Sequence, residues 1–251
     1  MMRVYQHFLR TAETKKAGFI VLIDPDKVSL KEGVQLAVRS EQAGADILFV
    51  GGSLLFTNEL DALLTAIKKE VTLPVVLFPG GVNQISKKAD AILFMSLISG
   101  RSAEYLIGEQ VKGAPLIKRA GLEPISVGYM LIESGRPTTA QFMSGTFPIP
   151  RHKPEIAAAH ALAGEFLGMK LIYMDGGSGA EQSVPERMIG AVRKYVSIPL
   201  IVGGGIRTPE SAEKKVKAGA NFIVTGTIFE QKKDPNLMVE MADAIHGVLT
   251  V

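Results

Sequence analysis

The chain has 251 residues, 47% hydrophobic and 21% charged, with a formal net charge of +3. This is the composition of a packed globular protein, not of a disordered or fibrous one, and the scattered basic residues offer no stripe for nucleic acid. With no cysteine in the chain, disulfides, thiolate metal sites and cysteine nucleophiles are excluded, and chemistry falls to oxygen, nitrogen and a hard metal.

The N-terminal stretch MMRVYQHFLRTAETKKAG has no continuous apolar segment. No later run approaches the roughly 20 apolar residues a membrane span needs, so a soluble cytoplasmic protein is expected. Short apolar runs then recur in chain order: FIVLI at 19–23, ILFV at 47–50, VVLFP at 75–79, AILFM at 91–95, ISVGYM at 125–130, LIYM at 171–174, PLIV at 199–202 and FIVT at 222–225. Runs rich in Val, Ile and Phe without polar alternation suit parallel strands covered on both faces. The stretches between them, such as SLKEGVQLAVRSEQAGA and PESAEKKVKAGA, have helical spacing and end at Gly. Eight such units predict an α/β fold, a (β/α)8 TIM barrel forming a single domain over 1–251.

Two intervals depart from the regular pattern. Only GGVNQISKKAD separates the third run from the fourth, close to the minimum for a crossover that includes a helix, so the third helix is expected to be absent or reduced. The stretch from Glu133 to Pro154 is rich in Gly, Pro, Ser and Thr and follows the fifth strand on the face where barrel active sites lie. It reads as a lid, a substrate wall or a plain surface insertion.

The strand ends carry the candidate chemistry. LIVGGGIRTPE places Gly203, Gly204 and Gly205 after the seventh run, and FIVTGTIFE places Gly226 and Thr227 after the eighth. Glycines admit an anion to the backbone N–H groups, and the loops after strands seven and eight are a frequent phosphate site in barrels. After the first run, Asp24-Pro25-Asp26-Lys27 projects two carboxylates that suit a hard cation such as Mg²⁺, to which Ser53 after the second run adds a hydroxyl. A turn with a helix N-cap is the structural alternative for that segment.

After the sixth run, Asp175 stands before Gly176, Gly177, Ser178 and Gly179, where a general base could reach a hydroxyl held beside the phosphate pocket. A tight turn capped by Asp is the alternative. Gly177-Ser178-Gly179 lacks the spacing of a nucleophile elbow, and the triple glycine does not continue into a dinucleotide fingerprint. The histidines His7, His152, His160 and His246 are far apart and read as structural. Phe78, Phe94, Tyr105, Tyr129 and Met130 make the middle of the chain apolar and aromatic, which fits ordinary barrel core as well as a tail groove.

LIDPDK at 22–27, FVGGS at 49–53, YMDGGSGA at 173–180, IVGGGIR at 201–207 and VTGT at 224–227 resemble, in order and spacing, the motifs of geranylgeranylglyceryl phosphate synthases and the related bacterial heptaprenylglyceryl phosphate synthases. SGRSAEYLIGEQ and VGYMLIESG look more like the larger, geranylgeranyl-using branch. The resemblance implies a modified TIM barrel without its third helix. It also implies a Mg²⁺-dependent reaction in which the 3-hydroxyl of sn-glycerol 1-phosphate attacks C1 of geranylgeranyl diphosphate, releasing diphosphate and forming the first ether bond of archaeal-type lipids.

Carried over by position, Asp24 and Ser53 look like the Mg²⁺ site. Tyr173, Met174, Asp175, Gly176, Gly177, Ser178 and Gly179, with Gly203, Gly204, Gly205, Gly226 and Thr227, look like the glycerol phosphate site, with Asp175 and Asp24 catalytic. Asp175 stands where the family commonly has Glu. Tyr105 and Tyr129 fall to the prenyl groove, Tyr105 at the deep end where it would limit chain length. A homo-oligomer, dimer or hexamer, with at most transient membrane contact and no nucleic acid partner, is implied. The helix PEIAAAHALAGEFLGM would pack against a second subunit or within one. A sugar-phosphate isomerase or cyclase, or a non-catalytic phosphate- or lipid-binding barrel, would share the phosphate loops and is the competing expectation.

Overall fold

A computed structural model describes residues 3–231 and 234–248. Eight parallel strands close into a ring in sequence order: β1 (Gly18–Ile23), β2 (Ile47–Val50), β3 (Val75–Leu77), β4 (Ala91–Leu97), β5 (Glu123–Leu131), β6 (Leu171–Asp175), β7 (Leu200–Gly203) and β8 (Phe222–Thr225). Closure is made where Gly18 of β1 pairs with Phe222 of β8. Each expected run lies on a strand, with ends displaced by a few residues.

Helices α1 (Val4–Thr14), α2 (Leu30–Gln42), α3 (Leu60–Glu70), α4 (Glu109–Ala120), α5 (Thr139–Ser144), α6 (Pro154–Phe166), α7 (Glu186–Arg193), α8 (Pro209–Lys217), α9 (Thr227–Gln231) and α10 (Pro235–His246) accompany the strands. Local chemistry sets their ends. The hydroxyl of Ser29 accepts from the Glu32 N–H while the Glu32 carboxylate takes the Ser29 N–H, a capping box that starts α2. Thr208 caps α8 ahead of Pro209, and Gly121 ends α4 in the left-handed region at φ 71°. Between β3 and β4 there is only the 3₁₀ turn Val82–Gln84, so the helix of the third strand–helix unit is missing, as the short interval requires. Among the described residues no helix is long and apolar enough to cross a membrane.

Side chains alternate across each strand. One set, with Ile20, Ile47, Phe49, Val127, Tyr129, Leu171, Tyr173 and Phe222, fills the barrel interior. The other, with Ile23, Leu48, Val50, Met130, Ile172, Met174 and Val202, packs under the helices. The N-terminal segment, for which the apolar runs predict no element, forms α1 and plugs the barrel base. Its fully buried Phe8 meets the Phe222 ring at 5.0 Å and Phe49 at 6.3 Å, a burial that contributes about 2 kcal/mol. Glu123 at the start of β5 accepts the Val4 and Tyr5 N–H groups at 2.6 and 3.3 Å and anchors the helix start.

Candidate active site

The C-terminal ends of the strands open into a cavity of about 730 Å³. Its character changes along its length, from charged and glycine-rich beside β6, β7, β8 and β1 to apolar beside β3 and β4.

On the charged side, Asp24 ends β1. Its Oδ1 accepts the Asp26 N–H at 3.1 Å, and its Oδ2 lies 3.0 Å from Lys27 Nζ. Lys27 also donates to Ser178 Oγ at 3.0 Å and stands 3.8 Å from Glu230 Oε2, so one ammonium ties the strand-one end to the strand-six loop. Both carboxylates of the Asp-Pro-Asp segment line the cavity; Asp24 also closes the turn by accepting the Asp26 N–H, while the N-cap of α2 falls to Ser29. Asp26 accepts from the Phe56 N–H at 2.6 Å and from the N–H and hydroxyl of Thr57 at 3.1 and 2.7 Å, and so pins the loop after β2. Burial raises the Asp26 pKa, but those hydrogen bonds outweigh it and hold the group below its ordinary value.

Ser53 lines the same wall. Its loop is held by Gln84, whose amide donates to the Gly52 carbonyl at 2.8 Å and accepts the Gly52 N–H at 3.4 Å. The 3₁₀ turn that replaces the third helix thus carries the clamp for the strand-two loop. Among the described residues no three His, Cys, Asp or Glu side chains gather as metal ligands. The oxygen donors here are the carboxylates of Asp24 and Glu230 and the hydroxyl of Ser53, a hard donor set that fits Mg²⁺, which keeps several of its waters.

Asp175 is the second focus. It ends β6 on the interior face, buried, and its Oδ2 accepts the Tyr129 hydroxyl at 2.6 Å while Oδ1 accepts the Gly177 N–H at 2.8 Å. Burial raises its pKa, and the two hydrogen bonds only partly offset that. Burial and the neighbouring Asp175 charge push Tyr129 and Tyr173 well above the usual phenol range, so both stay protonated. Asp175 therefore makes the capped turn and also presents a carboxylate more basic than usual to the cavity.

The loops after β6 and β7 abut. Gly204, at φ 82°, sits so close that a Cβ there would lie 2.7 Å from Asp175 Oδ1 and from the N atoms of Gly176 and Gly177; only glycine permits both that conformation and that contact. The N–H of Gly176 goes to the Gly203 carbonyl and that of Gly177 to Asp175. Both of these N–H groups are engaged within the protein. Two arginines brace the same loop. Arg207 donates to the Ala180 and Glu181 carbonyls at 2.5 and 3.2 Å, and Arg136 to the Gly179 carbonyl at 3.3 Å. Both line the cavity with Gly205, Gly226 and Thr227 and, together with Lys27, set cations among the carboxylates of this end.

The apolar side occupies the space the missing helix leaves. Phe78 stacks on Tyr173 with ring centroids 5.4 Å apart, and Tyr129 meets Tyr173 edge-on at 5.4 Å. Beyond this aromatic floor the cavity is lined by Ile85, Ile92, Phe94, Gly113 and Ile117, between the outer face of β4 and α4. Tyr105 lies in the π-helical turn Glu104–Gly108, and its hydroxyl donates to the Met143 carbonyl of α5 at 2.9 Å. The loop after β5 is a wall of the cavity, contributing Arg136, Thr139, Ala140, Met143 and Ser144.

Of the sequence-derived site residues, Asp24, Ser53, Tyr105, Tyr129, Tyr173, Asp175, Gly177, Ser178, Gly179, Gly204, Gly205, Gly226 and Thr227 converge on this one cavity. Met174 is a correction. Strand alternation turns its side chain outward into the core beneath the helices. Gly176 and Gly203 lie behind the lining; a Cβ on Gly203 would meet the Tyr173 hydroxyl at 2.6 Å. Phe78 and Phe94 belong to the cavity, whereas Met130 is outward core. None of the histidines lines it. His7 and His246 lie against Asp46 at the barrel base, and His160 bonds the Ile156 carbonyl and meets Arg101. Lys27, Gln84, Arg136, Arg207 and Glu230 join the cavity without a role read from the sequence. Lys27, Arg207 and Glu230 nevertheless follow glycine-rich or acidic strand ends within a helical turn, the signal that could have drawn them in.

The PcrB family model matches residues 10–246. A geranylgeranylglyceryl phosphate synthase of Chitinophaga pinensis is 48% identical over 99% of this chain and 98% of its own length, and one of Thermococcus kodakarensis is 52% identical over 87% and 86%. The crystal structure of (S)-3-O-geranylgeranylglyceryl phosphate synthase from Thermoplasma acidophilum in complex with sn-glycerol-1-phosphate superimposes with a TM-score of 0.94 at 37% identity, covering 99% of this chain and 100% of that one. A match spanning the whole barrel, every motif-bearing strand end included, means that the chain belongs to the PcrB family, alongside the geranylgeranylglyceryl phosphate synthases.

Proposed function

We propose that this protein is a geranylgeranylglyceryl phosphate synthase, a prenyltransferase that joins the geranylgeranyl group of geranylgeranyl diphosphate to the 3-hydroxyl of sn-glycerol 1-phosphate. One observation carries the reading: a single cavity runs from an arginine- and glycine-lined polar end, past a buried carboxylate, into an apolar groove opened by the loss of the third helix. A phosphate, a hydroxyl and a long hydrocarbon each meet matching chemistry in that order. The substrate named for the Thermoplasma acidophilum relative supports the polar end as the glycerol phosphate site.

Each part of the reaction falls to a different group of residues. Gly204, Gly205, Gly226 and Thr227, with Arg136 and Arg207, line the end that takes the phosphate. Asp175 accepts the proton of the attacking hydroxyl as the new C–O bond forms at C1 and the bond from C1 to the diphosphate breaks. Its raised pKa suits a base, and its charge faces the positive character left on the allylic carbon. The Phe78, Tyr129 and Tyr173 rings line the cavity beside Asp175 and exclude water from the reacting carbon. Asp24 and Ser53 would hold Mg²⁺, which would supply Lewis acidity to the departing diphosphate. A sugar-phosphate isomerase needs acid and base groups facing each other over a small polar substrate; the wall beyond Asp175 is aromatic.

The direct test incubates the protein with sn-glycerol 1-phosphate, geranylgeranyl diphosphate and Mg²⁺, with the sn-glycerol 3-phosphate enantiomer and an EDTA sample alongside, and follows ether product by mass spectrometry. Product with the 1-phosphate and metal alone is expected; no product under any condition overturns the reading. Tyr105→Ala, at the junction of groove and α5, is expected to admit longer prenyl diphosphates, and unchanged product lengths would remove Tyr105 from the groove's end. A homo-oligomer is part of the proposal, supported by Phe166 and Leu167, which α6 leaves 81% and 77% exposed at its C-terminal end.

A further inference from the structure

The Glu230 carboxylate is a charge the reaction above does not use. It sits in the short helix α9, three residues after Thr227, and lines the cavity while its side chain is only 7% exposed. Its Oε2 is buried without a hydrogen-bond partner. The nearest cation, the Lys27 ammonium, stands 3.8 Å away, beyond hydrogen-bond reach, and is already bonded to Asp24 Oδ2 and Ser178 Oγ at 3.0 Å each. Burial raises the Glu230 pKa; Lys27 lowers it, the Asp24 charge raises it again, and the backbone N–H of Asp24 lowers it by hydrogen bonding. Glu230 is thus fixed beside Asp24, and two carboxylates share one ammonium.

A buried carboxylate oxygen without a partner is costly. The side chain that carries it lines the end of the cavity where a hard cation would have Asp24 and Ser53 for donors. We propose that Glu230 is a third oxygen donor to that divalent cation, which would lie between the ends of β1, β2 and β8. The proposal rests on the reading of Asp24 and Ser53 as a cation site. It gives the strand-eight loop two roles, since its first residues face the phosphate and its last turn supplies a metal ligand. Cation and glycerol phosphate would then organise the same few residues.

The experiment measures Mn²⁺ binding to the full chain by electron paramagnetic resonance, alone and with inorganic diphosphate, for wild type, Glu230→Gln, Asp24→Asn, Lys27→Met and the Lys27→Met/Glu230→Gln double variant. Glu230→Gln is expected to weaken Mn²⁺ about 10- to 100-fold, and to do so equally in the Lys27→Met background. Without metal it should melt no lower than wild type, since it removes a poorly compensated buried charge, and it should gain less from added Mn²⁺. Wild-type affinity in Glu230→Gln, with loss in Asp24→Asn, overturns the proposal while leaving the cation site standing. Loss that disappears in the Lys27→Met background also overturns it, because Glu230 would then act only as the counter-ion of Lys27. No effect in either Glu230→Gln or Asp24→Asn, or no Mn²⁺ bound by wild type even with diphosphate, removes the cation site and this ligand together. Should Glu230→Gln fail to fold, Glu230→Asp, which withdraws the carboxylate by one methylene, carries the same expectation.

Discussion

Two buried aspartates at opposite ends of the barrel have opposite electrostatics. At the base, the Asp46 side chain is 4% exposed and accepts the Phe19 N–H at 2.8 Å and Lys15 Nζ at 2.6 Å, with His246 Nε2 at 2.9 Å. Burial raises its pKa, yet the hydrogen bonds from His246, Lys15 and Phe19 outweigh that and hold it below the ordinary value. At the mouth, Asp175 has, among the described residues, only a phenol and one backbone N–H and no cation, and burial prevails. The base over-compensates its charge and gains stability. The mouth under-compensates and keeps a reactive carboxylate, as functional sites commonly do.

The comparison breaks most sharply at Asp175. Asp175→Asn is expected to lower kcat/KM about 10²- to 10⁴-fold in the ether-forming assay and to leave the thermal midpoint at neutral pH unchanged or higher, since the substitution removes a poorly compensated charge. A variant of near wild-type activity would end its role as base. Asp46→Ala should do the reverse. It strips the buried Phe19 N–H of its acceptor and leaves Lys15 without its anion, a loss of about 3 kcal/mol or roughly 6–12 °C in Tm for a chain of this size, with kcat unchanged.

Acid titration sharpens the same contrast. The folded pKa of Asp46 is depressed, so its stabilisation is present above the unfolded value and is lost as pH falls through the folded one. The folded pKa of Asp175 is raised, so its contribution is fullest below the unfolded value and is lost as pH rises through the folded one. Plotted as Tm against pH below neutrality, Asp46→Ala should flatten the acid decline of the wild type, and Asp175→Asn should steepen it. Parallel curves for all three proteins would mean that neither group is linked to folding.

Much of this arrangement is legible in the sequence because it is local. A buried parallel strand needs an unbroken apolar run, a crossover helix needs more residues than GGVNQISKKAD offers, and a phosphate loop needs glycine. The helical spacing of Val4, Phe8 and Thr11 is equally local, but it lies outside the apolar runs, and α1 is not predicted from them. Alternation along β6 likewise turns Met174 away from the side shared by Tyr173 and Asp175. Other features are not local. The Gln84 clamp on Gly52, the Tyr129 bond to Asp175 and the approach of Glu230 to Asp24 each join residues on different strand ends. No spacing rule connects such residues before the barrel closes.

Tyr129 is where the smallest effect is the most diagnostic. Tyr129→Phe keeps the ring against Phe78 and Tyr173 and deletes only the donor at 2.6 Å to Asp175. A hydrogen bond to a charged group is worth about 1.5–3 kcal/mol, so stability should fall modestly. Because this bond lowers the Asp175 pKa against burial, its removal makes the carboxylate easier to protonate. The acid limb of kcat/KM should therefore move to higher pH, with a smaller loss at the pH optimum than Asp175→Asn produces. A limb that stays in place while stability falls would mean that the phenol is purely structural and that the proton is taken by a group other than Asp175.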